Sequence, residues 1–246
     1  MRPFLLLATR AEDGAADEEY AAFLKYGGLE ESQLERRRLE REPMSDVDLD
    51  AYSGLILGGS PFTFSDDEKT DVQVRVEEEL QALTHEALAR DFPFLGACFG
   101  IGIIGSVLGG MVDDRYREPV SAPIIELTDI GRVDPLFEVM PSTFKAFVGH
   151  KEAVHSLPDD VVVLASSADC PVQAFRVGKN VYATQFHPEL DVPGIHIRID
   201  AYKDYGYFPP EEADSLKAMA VGSGVELPGL LVRRFVELYG DAEPIG

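Results

Sequence analysis

The segment Gly96-Ala97-Cys98-Phe99-Gly100 has the form of a nucleophile elbow that carries a thiol. It follows the apolar run Phe92 to Ala97, which we predict to be a buried strand, and leads into an apolar helix that should end near Leu108. A sharp strand-to-helix turn would raise the Cys98 side chain above the sheet, and the flanking glycines permit close backbone approach. Free N–H groups at the helix start would favour the thiolate. Cys98 is therefore the candidate nucleophile.

A second segment, Gln185-Phe186-His187-Pro188-Glu189, supplies a base and a carboxylate. The proline biases His187 toward an extended conformation, so this histidine should start a loop at the end of a strand. Glu189 can then fold back and hold one imidazole nitrogen. Nucleophile, base and orienting carboxylate are the parts of a hydrolytic triad. We predict that Cys98, His187 and Glu189 form one.

A third segment, Gly58-Gly59, follows the apolar run Ser53 to Leu57 and is the candidate oxyanion and substrate-binding site. The N–H of Gly59, together with that of Phe99, could stabilise a developing negative oxygen, and one such donor is typically worth about 3 kcal/mol of barrier. All three segments follow predicted strands. Because sites in open α/β sheets form at the carboxyl ends of strands, we expect these segments to meet at one edge.

The elements that must position these residues alternate between strand and helix in the first half of the chain. We predict a strand at Phe4 to Thr9, a helix near Asp17 to Lys25, and a helix that begins with a capping box at Ser65 to Glu68 and runs to Ala89. Short strands should follow at 121–127, 144–148, 161–165, 173–177 and 181–185, and helices at 193–204, 210–219 and 230–238. This pattern predicts a single α/β domain over residues 1–246, built on a mixed sheet with helices on both faces. The part that carries the motifs should span about 4–190, and a helical C-terminal part should span about 191–246.

Composition limits the possible partners. The net charge of −22 repels phosphate backbones, so we expect no nucleic-acid partner and no binding to anionic membranes. No apolar run approaches the roughly 18 residues of a membrane span, and no export signal is recognisable, so the cytoplasm is the expected location.

The remaining candidate groups predict no metal or cofactor site. We expect Cys170 in a buried turn, His150 and His155 at the surface or behind the site, and His85 and His196 outside any metal cluster. Gly100-x-Gly102-x-x-Gly105 has the spacing of a dinucleotide fingerprint but lacks its context, and we attribute its glycines to close packing of helix on sheet.

The three segments, in this order, resemble the class I (triad) glutamine amidotransferases, and most closely the stand-alone, GMP-synthase-like members. Leu108-Gly109-Gly110 and the stretch from Leu164 to Phe175 support the resemblance, which covers roughly residues 4–190. It implies a flavodoxin-like α/β fold, mostly parallel. It also implies hydrolysis of glutamine to glutamate and ammonia through a γ-glutamyl thioester on Cys98, with His187 as base and then acid.

Two departures from the family leave alternatives open. The family usually carries glutamine four residues after the nucleophile, where it holds substrate, and this chain has Gly102. A lost polar contact costs on the order of 1–3 kcal/mol, so a γ-glutamyl hydrolase that accepts a larger amide is the main alternative, and a non-catalytic binding or regulatory module is a third. No synthetase region follows, so an ammonia acceptor should be a separate synthase subunit.

Overall fold

A nine-stranded mixed sheet organises the protein, whose computed structural model describes residues 1–240. The strand order is β2-β1-β3-β4-β13-β12-β11-β7-β8. The first five strands in this order are parallel, and the remaining four pair antiparallel. These strands are β1 (Phe4–Ala8), β2 (Leu34–Arg38), β3 (Gly54–Leu57), β4 (Phe94–Ala97), β7 (Ile124–Leu127), β8 (Thr143–Lys145), β11 (Val162–Ser166), β12 (Ala174–Val177) and β13 (Val181–Thr184).

Two small antiparallel ribbons lie outside the main sheet. One pairs β5 (Met111–Asp113) with β10 (Ala153–His155), and the other pairs β6 (Glu118–Ser121) with β9 (Val148–His150). The insertion between β4 and β13 thus supplies every antiparallel strand of the described chain. It adds these strands next to the parallel core without interrupting it.

Helices cover both faces of the sheet. They are α1 (Asp13–Gly27), α2 (Asp71–Ala89), α3 (Phe99–Val107), α4 (Val192–Tyr202), α5 (Ala213–Val221) and α6 (Gly229–Tyr239). Alternate side chains of β1 explain this arrangement, because Phe4 and Leu6 pack with α1 and α6, whereas Leu5 and Leu7 pack with α2 and α3. Helices α4 and α5 form a third apolar cluster with Phe147.

The fold predicted from the sequence is confirmed, an α/β architecture with a large, mostly parallel central sheet and helices, but several element boundaries were wrong. Strand β2 was missed, as were β5 and β10. The predicted strand 121–127 is split at Ala122-Pro123, and 144–148 spans the end of β8 and the start of β9. Of the predicted helical part 191–246, residues 241–246 lie outside the described range.

The predicted capping box at Ser65 is also wrong. Helix α2 begins at Asp71, and the Thr70 side chain accepts the Gln73 N–H at 3.1 Å. The Ser65 N–H instead donates to the Glu152 carboxylate at 2.8 Å, and Phe64 does the same at 2.6 Å. An acceptor from a distant loop therefore satisfies the amides that a helix start at this point would have left free.

Candidate active site

The turn that carries Cys98 is strained. Its φ of 54° and ψ of −95° place a residue with a Cβ in a region that normally admits glycine. The neighbouring glycines are sterically required, since a Cβ on Gly96 would lie 2.9 Å from the Gly100 carbonyl carbon, and a Cβ on Gly100 would lie 3.0 Å from the Leu57 oxygen. The elbow thus follows β4 and opens α3, as the sequence predicts.

Backbone hydrogen bonds hold the segments that carry Cys98 and His187 against neighbouring parts of the sheet. The Cys98 N–H donates to the Thr184 carbonyl at 2.8 Å, which ties the elbow to the end of β13. Three residues further on, the His187 N–H donates to the Phe147 carbonyl at 3.0 Å. The Thr184 hydroxyl donates to the Phe186 carbonyl at 2.9 Å and stabilises the bend between them.

His187 and Glu189 form a buried pair. The imidazole Nδ1 lies 2.8 Å from Glu189 Oε1, and the glutamate is fully buried. Burial alone would lower the pKa of His187, but the charges of Glu189 and Cys98 outweigh it and raise this pKa to about 9. Burial opposes ionisation of Glu189 as well, yet His187, with Arg198, lowers the pKa of Glu189 to about 2. At neutral pH the pair is ionised as imidazolium and carboxylate.

The candidate oxyanion residues differ in what their amides do. The Gly58 N–H donates to the Leu7 carbonyl at 3.3 Å, so this amide bonds to the neighbouring strand. Within residues 1–240 the N–H groups of Gly59 and Phe99 have no protein acceptor. Gly59 also lies against the base, because a Cβ built there would be 2.7 Å from His187 Cε1.

The sequence analysis missed a buried cluster of charged side chains beside Glu189. Arg10 Nε donates to Glu19 Oε1 at 2.9 Å, and Arg198 Nη2 donates to Glu18 Oε2 at 3.0 Å and lies 4.0 Å from Glu189 Oε1. Arg10 follows β1 at the same sheet edge as the other candidates, so the strand-end rule could have found it. Arg198 lies in an ordinary amphipathic helix, and no sequence signal marks it.

The other histidines and Cys170 do not join the triad. His150 is buried, not at the surface, with Nε2 2.9 Å from Glu118 Oε2, and His155 is likewise buried 3.0 Å from Asp113. Cys170 is buried in a turn as predicted, and burial raises the pKa of its thiol to about 12. His85 is exposed, and His196 bonds a backbone carbonyl.

Residues 1–240 contain neither a membrane-spanning helix nor a metal cluster. None of the helices there is both long and apolar enough to cross a membrane. The same range contains no group of three or more His, Cys, Asp or Glu side chains arranged to hold a metal ion.

Comparison with known proteins gives a consistent result. The family model "Glutamine amidotransferase class-I" matches residues 28–193, about two thirds of the chain. A GMP synthase [glutamine-hydrolyzing] subunit from Methanosphaera stadtmanae is 33% identical over 138 residues, which cover 56% of this chain and 65% of that protein. A GMP synthase [glutamine-hydrolyzing] from Petrotoga mobilis is 28% identical over 146 residues, 59% of this chain and 26% of that protein. The chain therefore spans less than two thirds of these relatives.

Solved structures match over almost the whole chain. A glutamine amidotransferase from Thermotoga maritima superimposes with a TM-score of 0.78 at 20% identity, and covers 98% of this chain and 100% of its own. A glutamine amido transferase from Methylobacillus flagellatus gives a TM-score of 0.71 at 16% identity, over 96% and 95% of the two chains. The structural likeness shows the shared fold, and the family match shows that this chain belongs to the class I glutamine amidotransferases.

Proposed function

We propose that this amidotransferase cleaves a side-chain γ-amide, glutamine in the first instance, through a γ-glutamyl thioester on Cys98. The thiolate attacks the amide carbon, and the oxyanion is held by the N–H groups of Gly59 and Phe99. His187 gives its proton to the departing ammonia and then takes one from the hydrolytic water. Glu189 holds the imidazole and stabilises its charge.

The observation that carries the proposal is that three separate features lie at the same edge of the sheet, where a half-buried Cys98 adjoins the buried His187 and Glu189. Cys98 lies in a strained turn, His187 carries a raised pKa of about 9, and Glu189 carries a lowered pKa of about 2. Backbone strain and perturbed titration both cluster at functional sites. The raised pKa of His187 depends in part on Cys98, which supports a direct interaction between this side chain and the imidazole.

The test is acylation of Cys98 by glutamine, followed by intact-protein and peptide mass spectrometry. We expect a glutamyl adduct on Cys98, release of glutamate at steady state, and loss of both in Cys98→Ala. Cys170→Ser is the matched control, because it removes the other thiol of the chain outside the site. Unchanged glutamate release in a folded Cys98→Ala protein would refute the proposal.

The acceptor of the ammonia belongs to the same proposal. Some relatives are named as one subunit of a GMP synthase, so we propose that this chain delivers ammonia to a separate synthase subunit. The measurement is glutamate release with and without a candidate synthase subunit. Stimulation that depends on the synthase substrates would support this assignment, and a rate independent of the added protein would contradict it.

Gly102 favours a second candidate function, hydrolysis of a larger γ-glutamyl amide. A Cβ at this position would meet only Val112 Cγ1 at 3.9 Å, and Gly102 lines a cavity, so the glycine leaves room beside Cys98 that a longer side chain would reduce. A competition between glutamine and longer γ-glutamyl amides for acylation of Cys98 separates the two functions. Preferential labelling by the longer amides would favour the hydrolase.

A further inference from the structure

Two distinct cavities meet at Cys98. The first, here called the His187 cavity, has a volume of about 50 Å³ and is lined by His187, Arg198 and residues of α4 and the loop after it. The second, here called the Gly102 cavity, measures about 20 Å³ and is lined by Phe99, Gly102 and residues of the β9–β10 loop. Cys98, Ser60 and Tyr207 line both, so a substrate attacked by the thiolate has two cavities beside the sulfur into which it can extend.

The chemistry of amide cleavage decides which part of the substrate occupies which cavity. The departing nitrogen must accept a proton from the imidazolium, so it must face His187. His187 lines only the first of the two cavities. The leaving amine is therefore directed into the His187 cavity. The acyl chain extends toward the Gly102 cavity, where Lys151 is a charged neighbour and the Glu152 carboxylate is already bonded to the Phe64 and Ser65 amides.

Part of the wall of the His187 cavity is apolar. Leu190, Ile195, Ile199 and Phe208 form this part. The two arginines that also line the cavity are each bonded to a carboxylate, Arg10 to Glu19 and Arg198 to Glu18. A cavity needs only about 10–15 Å³ to hold one water-sized molecule such as ammonia. At about 50 Å³ the His187 cavity has room for several such groups. Ammonia has no apolar surface to bury there, whereas an alkyl chain does.

We propose that the His187 cavity binds a short alkyl substituent on the amide nitrogen, and that the enzyme hydrolyses N-alkyl γ-glutamyl amides. This inference rests on the proposed function, because it uses the same thioester. The Cys98 sulfur bonds to the γ-carbon as the C–N bond breaks, and His187 protonates the nitrogen to release a primary amine. Water then attacks the thioester, its proton goes to His187, and glutamate leaves as the thiolate re-forms.

The experiment measures kcat/KM for glutamine and for γ-glutamyl methylamide, ethylamide, propylamide and benzylamide, by release of glutamate and of the amine. Each methylene buried in the apolar wall should raise kcat/KM about fourfold from methylamide to propylamide. The benzylamide should fall, because its ring exceeds the available volume. Alkylamides cleaved at less than a hundredth of the glutamine rate would overturn the inference while leaving the proposed function intact.

Substitutions in α4 test whether the His187 cavity determines the preference for alkylamide substrates. Ile199 is buried and lines it, whereas Ile197 is 39% exposed on the same helix and does not. Ile199→Phe should lower the propylamide-to-glutamine ratio of kcat/KM at least tenfold, and Ile197→Phe should leave it unchanged. If Ile199→Phe does not fold, Ile199→Ala enlarges the cavity and should shift the preference toward the benzylamide. A ratio that responds to neither Ile199 substitution would overturn the inference.

Failure of the underlying chemistry has a different signature. If neither glutamine nor any alkylamide acylates Cys98, the proposed function and this inference are both wrong. If glutamine acylates Cys98 and the alkylamides do not, only the inference is wrong.

Discussion

Replacement of Gly59 by alanine tests the position of the base more directly than removal of the base itself. A Cβ at this residue would lie 2.7 Å from His187 Cε1 and 2.5 Å from Arg10 Nη2. The φ of Gly59 is not among the positive values, so alanine is acceptable to the backbone and the conflict is one of space. Neither neighbour is free to move, since Glu189 holds the imidazole and Glu19 holds the guanidinium.

The magnitude follows from the displacement that the methyl group imposes. Carbon atoms pack at about 3.5–4.0 Å, so the imidazole or the Gly59 backbone must shift by roughly 1 Å. A misplacement of this size can cost on the order of 100-fold in rate, or about 3 kcal/mol of transition-state stabilisation. Overpacking should also lower the free energy of unfolding of Gly59→Ala by about 1–3 kcal/mol.

The assay is kcat/KM for glutamate release, with urea unfolding to confirm that each variant is folded. Gly14→Ala is the inert control, because a Cβ there meets nothing within 4 Å and the residue lies in α1. Gly102→Ala is the control within the site, and the open space beside it predicts a loss of less than tenfold. A folded Gly59→Ala protein with activity within threefold of the wild type would refute the placement of the catalytic base beside this glycine.

Three further predictions concern the buried pair and the helix caps. His187→Ala should reduce kcat/KM more than Glu189→Gln, because the second variant keeps the base and loses only its orientation; equal losses would contradict the separate roles. The free energy of unfolding should be highest between about pH 4.5 and 6.5. The contribution of Glu189 to the free energy of unfolding is present above the ordinary glutamate pKa of 4.5 and is lost as pH falls toward 2. The contribution of His187 is present below the ordinary histidine pKa of 6.5 and is lost as pH rises through about 9. The alkaline loss, on the order of 3 kcal/mol, should become smaller in Glu189→Gln when unfolding is followed against pH, because only the interaction of His187 with Cys98 then remains. Thr70→Ala should destabilise α2 by about 1 kcal/mol in urea unfolding, while Ser65→Ala has little effect, and the reverse order would favour a helix start at Ser65.

The strand-end rule predicts where the chemistry gathers because it depends only on local patterns. Cys98, His187 and Gly59 each follow a short apolar run. Because these runs pair as parallel strands, their carboxyl ends lie at the same edge of the sheet. The interpretation of the glycine spacing as close packing is correct at Gly105, where a Cβ would lie 2.4 Å from Val154 Cγ2. It is wrong at Gly102, where a Cβ would meet only Val112 Cγ1 at 3.9 Å and close packing does not require glycine.

The missed features share a physical cause, which is that long-range contacts decide them. Strand β2, Leu-Glu-Arg-Arg-Arg, lies at the edge of the sheet, and its arginines pair with acidic side chains, so it shows no apolar run. Glu152 takes the backbone amides near Ser65 from 87 residues away. Burial of Arg198 depends on α1 and α4 packing together, which no local pattern reports.

The hydrogen bond from the His187 N–H to the Phe147 carbonyl ties the antiparallel insertion to the proposed base. Phe147 lies between β8 and β9, and Lys145 on the same segment donates to the Ser223 carbonyl near the end of the chain. A displacement of that outer segment would therefore reach the backbone of His187 through one peptide group, without passing through the parallel core.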